Sequence, residues 1–195
     1  DPYRSAQLNA SGEIELPYCL FVLRSGGQTI LADTGMGLGP FAHMGYITGN
    51  MLYELNKIGI KPEDVDLVVH THLHPDHVGW NITYEGGTAK PTFPNAKYLI
   101  PRTDWEHFSQ PDILALPQNA HVRNQVVPLE ELGVMELIDA GHNITPEVST
   151  IHTPGHTMGS VCAFHRQQRV LFTGDTVLGP RTSSITPEQG SMRLY

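Results

Sequence analysis

Basic residues are scarce in this chain: 12 Lys and Arg stand against 20 Asp and Glu, giving a formal net charge of −8 over 195 residues. A protein that holds extended nucleic acid needs a basic stripe, because phosphate neutralisation drives that binding, so the scattered cations here disfavour a nucleic-acid partner. Cysteine is scarcer still. Cys19 and Cys162 lie in apolar, strand-like segments without a neighbour at metal-ligand spacing, which predicts buried thiols rather than a disulfide. No apolar run approaches the roughly 20 residues of a membrane helix. No basic-then-apolar leader opens the sequence either, so the expectations are no membrane partner and a cytoplasmic location. A Gly-x-Ser-x-Gly elbow is missing, which excludes the commonest serine-hydrolase arrangement. Gly35-Met36-Gly37-Leu38-Gly39-Pro40 lacks the lysine of a phosphate loop and reads instead as a mobile loop. Without a low-complexity linker or a fixed-period repeat, residues 1–195 read as one domain, and 39% hydrophobic residues supply its core.

What the chain does have is concentrated in one place. His72-Leu73-His74-Pro75-Asp76-His77 puts four metal-binding side chains into six positions. A tetrahedral zinc takes three or four protein ligands, so this run nearly fills one site or, with distant help, begins two. In extended backbone His72 and His74 point the same way and can grip one ion, while Pro75 favours a turn that aims Asp76 and His77 elsewhere. A surface His tract would lack the interposed carboxylate and the strand ahead of it. Here Val65-Asp66-Leu67-Val68-Val69 follows the turn-like Lys61-Pro62-Glu63-Asp64, so the cluster leaves the carboxyl end of a strand, where sites in α/β proteins gather.

Two later segments repeat that pattern. Val148-Ser149-Thr150-Ile151 reads as a strand, and Thr153-Pro154-Gly155-His156-Thr157 after it as a loop that presents His156. Arg169-Val170-Leu171-Phe172-Thr173 reads as another strand with Gly174-Asp175 at its end, joined to Ser160–Phe164 through a hairpin at Arg166-Gln167-Gln168. Near the start, Pro17–Leu23 and Gln28–Ala32 flank Ser25-Gly26-Gly27 as a hairpin, followed by Asp33-Thr34-Gly35. A helix is predicted over Asn50–Ile58 from apolar residues at 51, 52, 55 and 58, a strand over Ala96–Ile100, and a short helix from Arg102 to Ser109. Trp80, Phe93, Trp105 and Phe108 are read as core in preference to pocket lining. His43, His107, His121 and His142 lack ligand spacing, and neither His70, His152 nor His165 is assigned a role.

His-x-His-x-Asp-His, then Thr-Pro-Gly-His-Thr, then Phe-Thr-Gly-Asp, in that order, resemble the motifs of the metallo-β-lactamase-fold hydrolase superfamily. The resemblance runs from about Tyr18 to Asp175. It implies an α+β fold, a four-layered αβ/βα sandwich with metals at one rim, and a dinuclear centre. His72, His74 and His156 would hold the first ion, Asp76 and His77 the second, and Asp175 both. Two zinc ions are the expected cofactors, with manganese or iron(II) as alternatives. Asp33 would either support a ligand or serve as a turn residue. The family adds one more histidine well downstream of the bridging aspartate, and residues 176–195 contain none. The expectation is therefore a domain lacking its C-terminal part, since Pro187-Glu188 and Met192–Tyr195 resemble a helix beginning, and Asp1-Pro2 opens without methionine.

The implied activity is hydrolysis by a metal-activated hydroxide of an ester-like bond in a small molecule: a lactone, a thioester or an organophosphate ester. Asp76 would hold the second metal and carry the proton to the leaving group. Some true β-lactamases have cysteine where the second site here has Asp175, which places the chain nearer lactonase-like and thioesterase-like relatives. Certain lactonases carry tyrosine just after the bridging aspartate, where this chain has Thr176-Val177-Leu178. The alternatives are a mononuclear iron sulfur dioxygenase built on His72, His156 and Asp175, with His74 as the remaining candidate, or a β-lactamase or nuclease of the same superfamily.

Overall fold

The computed structural model describes residues 18–41 and 48–177. His43 and the helix start read at 187–195 lie outside the described residues. The chain opens with β1 (Phe21–Ser25) and β2 (Gln28–Ala32), an antiparallel hairpin turned by Gly26 and Gly27. Both glycines sit at positive φ, 60° and 78°, as such a two-residue turn requires. Helix α1 (Met51–Lys57) follows, burying Met51 and Leu55. Next come β3 (Leu67–Val69), the helical turn α2 (Pro75–Val78), a hairpin of β4 (Ile82–Glu85) and β5 (Thr88–Pro91), and β6 (Lys97–Pro101). Four short helices, α3 (Arg102–Phe108), α4 (Pro111–Leu114), α5 (Ala120–Gln125) and α6 (Val127–Glu131), lead to β7 (Met135–Ile138). β8 (Val148–His152), β9 (Val161–His165) and β10 (Val170–Phe172) complete the described strands.

These strands form two main sheets. The first has the order β1-β2-β3-β6-β7, with every pair after the hairpin parallel; the second, β10-β9-β8, is antiparallel throughout. Parallel strands buried on both faces read as continuous apolar runs, and the pleat then divides their side chains between two cores. Ile30, Ala32, Leu67, Val69 and Leu99 point to one face, where they meet Val148 and Ala163 of the second sheet. Leu31, Val68, Tyr98 and Ile100 point to the other and pack against Met51, Leu55, Trp105, Phe108 and Val122 from the helices. The result is helices on sheet on sheet. On the far side of the second sheet, Ile151 and Leu171 point away from the shared core and are exposed.

Several boundaries differ from the sequence reading. Arg169 is in the β9–β10 turn at φ 55° rather than in a strand. β1 begins at Phe21, four residues after the predicted start at Pro17. The β4–β5 hairpin escaped notice because Thr88-Ala89-Lys90-Pro91 carries no strand signature of its own and is held by pairing alone. Within the 35–40 segment, read as a mobile loop, Gly35 O accepts Gly79 N–H and Gly37 O accepts Gly49 N–H, each at 2.8 Å, while Leu38 is exposed.

The geometry brings a whole set of chain ends to one rim. β2, β3 and β6 run parallel, so the residues after them, Asp33, the 70–77 segment and Asp104, emerge together. β8 and β10 both run antiparallel to β9, which delivers His156 and Asp175 from the second sheet to a common edge.

Beneath that rim, Tyr98 is fully buried with its hydroxyl accepting from Phe93 N–H at 3.1 Å and donating to Asn81 O at 3.2 Å. Removing the hydroxyl leaves the Phe93 amide unpaired in the core. Tyr98→Phe is expected to cost about 1–3 kcal/mol in urea denaturation with an unchanged slope; an unchanged midpoint would contradict this packing.

Candidate metal centre

Asp33 continues β2 by donating its N–H to Val69 O at 2.9 Å, and His70 continues β3 by donating to Leu99 O at 3.0 Å. At Asp33 the backbone turns to φ 64°, a conformation aspartate tolerates better than most residues, and swings the carboxylate under the neighbouring strand end. One oxygen accepts Thr71 N–H at 2.8 Å; the other accepts Thr71 O–H at 2.8 Å and faces His77 Nδ1 at 2.8 Å. His70 Nδ1 stands 3.6 Å away.

This bonding pattern orients the imidazoles. Because the Thr71 hydroxyl gives its proton to Asp33, the 3.1 Å contact between Thr71 Oγ1 and His72 Nδ1 is made with His72 as donor. The lone pair of His72 is then on Nε2, a buried atom with no hydrogen-bond partner among the described residues. His77 likewise turns Nδ1 to Asp33 and leaves Nε2 facing Asp175 Oδ1 at 3.2 Å and Asp76 Oδ2 at 3.6 Å.

Two ligand groups result, with all ligand atoms in each within 4.8 Å of one another: His72, His74 and His156, and His72, His77 and Asp175. In the first, His74 Nδ1 and His156 Nε2 are 2.8 Å apart. In the second, Gly174 at φ 51° brings Asp175 against the 71–77 segment; a Cβ there would lie 2.5 Å from Thr71 Oγ1. Asp175 also reaches the first group, with Oδ2 3.5 Å from His156 Nε2. The structure thus assembles five of the six residues predicted as ligands into these two groups. Asp76 is the exception. Pro75 starts a helical turn rather than a simple bend, and Asp76 Oδ2 stands 3.6 Å from His77 Nε2 at the edge of both groups.

Electrostatics match the donor set at His72 and His74, while His77 is held protonated in the metal-free protein. Burial, with the charges of neighbouring histidines, holds His72 well below the usual imidazole value and His74 at about 4, so both present lone pairs at neutral pH. Burial opposes a charge on His77, but Asp33 and Asp175 outweigh it and push that imidazole up to about 10. Asp175 is likewise pulled below the ordinary carboxylate range by His77, against the effect of burial. Asp76 is raised by burial. An orphaned buried nitrogen, two converging imidazoles and a carboxylate are a borderline-metal donor set, which zinc suits.

The Metallo-beta-lactamase superfamily matches residues 17–193. The chain belongs to this superfamily. An N-acyl homoserine lactonase of Bacillus thuringiensis subsp. kurstaki is 27% identical over 181 residues, covering 83% of this chain and 64% of the relative. An acyl-coenzyme A thioesterase of Bos taurus is 25% identical over 166 residues, covering 81% and 57%. The crystal structure of AbOPH, a hydrolase in the beta lactamase superfamily, superposes with a TM-score of 0.73 at 26% identity, covering 90% of this chain and 61% of that one. The chain therefore spans less than two thirds of the length of each of these relatives.

Of the other histidines, His121 contacts the 72–77 loop: Nε2 lies against Leu73 O and Nδ1 against Gln118 O, each at 3.0 Å. His152 contacts Met158 O, and His165 lies at the far end of β9, 4.0 Å from Glu147. The sequence reading also passed over Asp104. That residue is 2% exposed and accepts hydrogen bonds from Leu73 N–H, Thr157 O–H and Gly159 N–H. Its signal was an acid in the first turn of a helix directly after a parallel strand. Trp80, Phe93, Trp105 and Phe108 are all buried, as read.

Asp33 and His77 form one buried charged pair, so Asp33→Ala is expected to destabilise the metal-free protein by about 3–5 kcal/mol in chemical denaturation. Asp33 is held below its ordinary value, so its share of the stability is present above about pH 4 and is lost as pH falls further. His77 is raised, so the pairing is fully present below about pH 6.5 and is lost as pH climbs towards 10. The gap between wild type and variant should therefore be widest between those limits; a gap independent of pH would show that the pair carries no charge.

Proposed function

We propose that the chain is the metal-binding core of a hydrolase that cleaves an ester-like bond in a small molecule, with two zinc ions as cofactors. The observation that supports this most is the convergence of His72, His74 and His156. Their nitrogens meet within 4.8 Å, and the His72 Nε2 is buried without a hydrogen-bond partner among the described residues. A structural polar cluster would give the buried His72 Nε2 a donor; a cation site leaves that lone pair open. In this reading these three imidazoles would hold the first ion and His77 and Asp76 the second, with Asp175 available to both. Divalent ions held there supply a water acidified to near neutrality and a Lewis acid for the electrophile.

The remaining work falls to the chain's own residues. Asp33 fixes His77 so that Nε2, not Nδ1, faces the site. Thr71 does the same for His72. Asp76 is about one-fifth exposed, beside His77 and at the cleft, and burial raises its pKa. It is positioned to take a proton from the attacking water and return it to a departing oxygen or sulfur. The cleft over Asp76, His77 and Asp175 has a volume of about 480 Å³, and Tyr18, Phe21, Leu171 and Phe172 give it an apolar wall. Such a wall suits a substrate with a hydrocarbon or aromatic part next to its reactive carbonyl. Lactones and thioesters fit that description, and the lactonase and thioesterase among the relatives agree with it.

The test is a panel of lactones, thioesters and organophosphate esters offered to the zinc-loaded protein and to Asp76→Ala. Hydrolysis of at least one class is expected, falling by about 10²–10⁴-fold in the variant. Equal rates in the two proteins would overturn the role of Asp76. Elemental analysis of protein purified without added metal should give zinc near two per chain. Iron near one per chain with oxygen consumption would instead support the sulfur dioxygenase.

A further inference from the structure

We infer that Asp104 is a positioning residue that locks the two loops of the first metal site to each other and so sets the affinity for the ion. This rests on the reading of His72, His74 and His156 as a metal triad, and adds a residue that triad does not contain.

Those three histidines come from two loops in different halves of the chain. His72 and His74 follow β3 of the first sheet, and His156 follows β8 of the second. Strand pairing and the bond from Val161 N–H to Thr71 O at 2.9 Å join the two loops at their bases but do not fix the spacing of the ligands beyond them. Asp104 supplies that link. From the first turn of α3 its Oδ2 accepts Leu73 N–H at 3.1 Å, the peptide between the two ligands of one loop. The same Oδ2 accepts Thr157 O–H at 3.0 Å, adjacent to the ligand of the other, and Oδ1 accepts Gly159 N–H at 2.8 Å. Leu73 is held from its other side as well, since His121 Nε2 contacts its carbonyl oxygen at 3.0 Å. A carboxylate pulled 98% out of water by burial is costly, and three donors from two loops are what offset that cost.

The fit is close enough to restrict the sequence around it. A Cβ on Gly159 would lie 2.5 Å from both the Oδ1 and the backbone nitrogen of Asp104, so the loop after His156 can reach the carboxylate only through glycine. Thr157 is shared further, its hydroxyl lying 2.8 Å from Ser160 Oγ. None of these residues is a ligand in either group. Their effect on the ion is therefore through the relative placement of His74 and His156, which meet at 2.8 Å across the gap that Asp104 spans.

The experiment compares zinc affinity, by chelator competition, for wild type, Asp104→Asn and Asp104→Glu, with near-ultraviolet circular dichroism confirming that each remains folded at the working temperature. Asparagine keeps one acceptor oxygen and loses the charge, so about a 10–100-fold loss of affinity for the tighter zinc is expected, with partial recovery in the glutamate variant. A folded Asp104→Asn whose affinity stays within about twofold of wild type overturns the proposal, because a merely structural role would lower stability and leave affinity unmoved. Should Asp104→Asn not fold, Thr157→Val takes its place; deleting one donor while keeping the carboxylate should weaken zinc about threefold or more, and no change overturns the proposal. Wild type that takes up no zinc removes the metal reading itself, a failure visible before any variant is compared.

Discussion

Burying several imidazoles side by side is the constraint around which the rest of this structure is arranged. His72 and His77 are almost fully buried with ring centroids 3.9 Å apart, and His74 and His156 close over them. Water has been stripped from groups that would otherwise hold it, and that cost has to be offset locally. The protein offsets it in two ways. On one side of the rings, Asp33 and Thr71 satisfy the Nδ1 atoms of His72 and His77; on the other, His77 Nε2 faces Asp175 Oδ1 at 3.2 Å and His72 Nε2 has no hydrogen-bond partner among the described residues. A cluster built for stability alone would satisfy both sides of His72; its open Nε2 is the feature that the proposed cation site accounts for.

The sheets exist, in this sense, to make that crowding affordable to the chain. Parallel pairing of β2, β3 and β6 aligns three carboxyl ends, and the alternation of Ile30, Leu31 and Ala32, or Leu67, Val68 and Val69, buries both faces behind them. Antiparallel pairing in the second sheet returns β8 and β10 to the same edge. Valine 161 N–H then donates to Thr71 O at 2.9 Å, joining the second sheet to the metal loop at its first residue. The rim therefore belongs to both sheets at once.

How much of this was readable beforehand follows from how local each signal is. The grouping of His72, His74 and His77 is legible because spacing along the chain carries it, whereas Asp76 lies outside both groups. His156 and Asp175 are legible because a strand signal and a Gly or Pro turn precede each. Asp33 could be placed near the site but not given a task, since its partners Thr71 and His77 are 38 and 44 residues away. Asp104 was invisible for the same reason: its value lies in contacts 31 and 55 residues distant. The β4–β5 hairpin and the exact turn at Arg169 failed on propensity, where pairing overrode weak local preference.

The most direct test of the account is anomalous diffraction at the zinc edge from zinc-soaked crystals of the protein. The account predicts a peak about 2.1 Å from the His72 Nε2 and from one nitrogen each of His74 and His156. Density for zinc elsewhere on the surface, with those three imidazoles still facing one another and no peak among them, would contradict it.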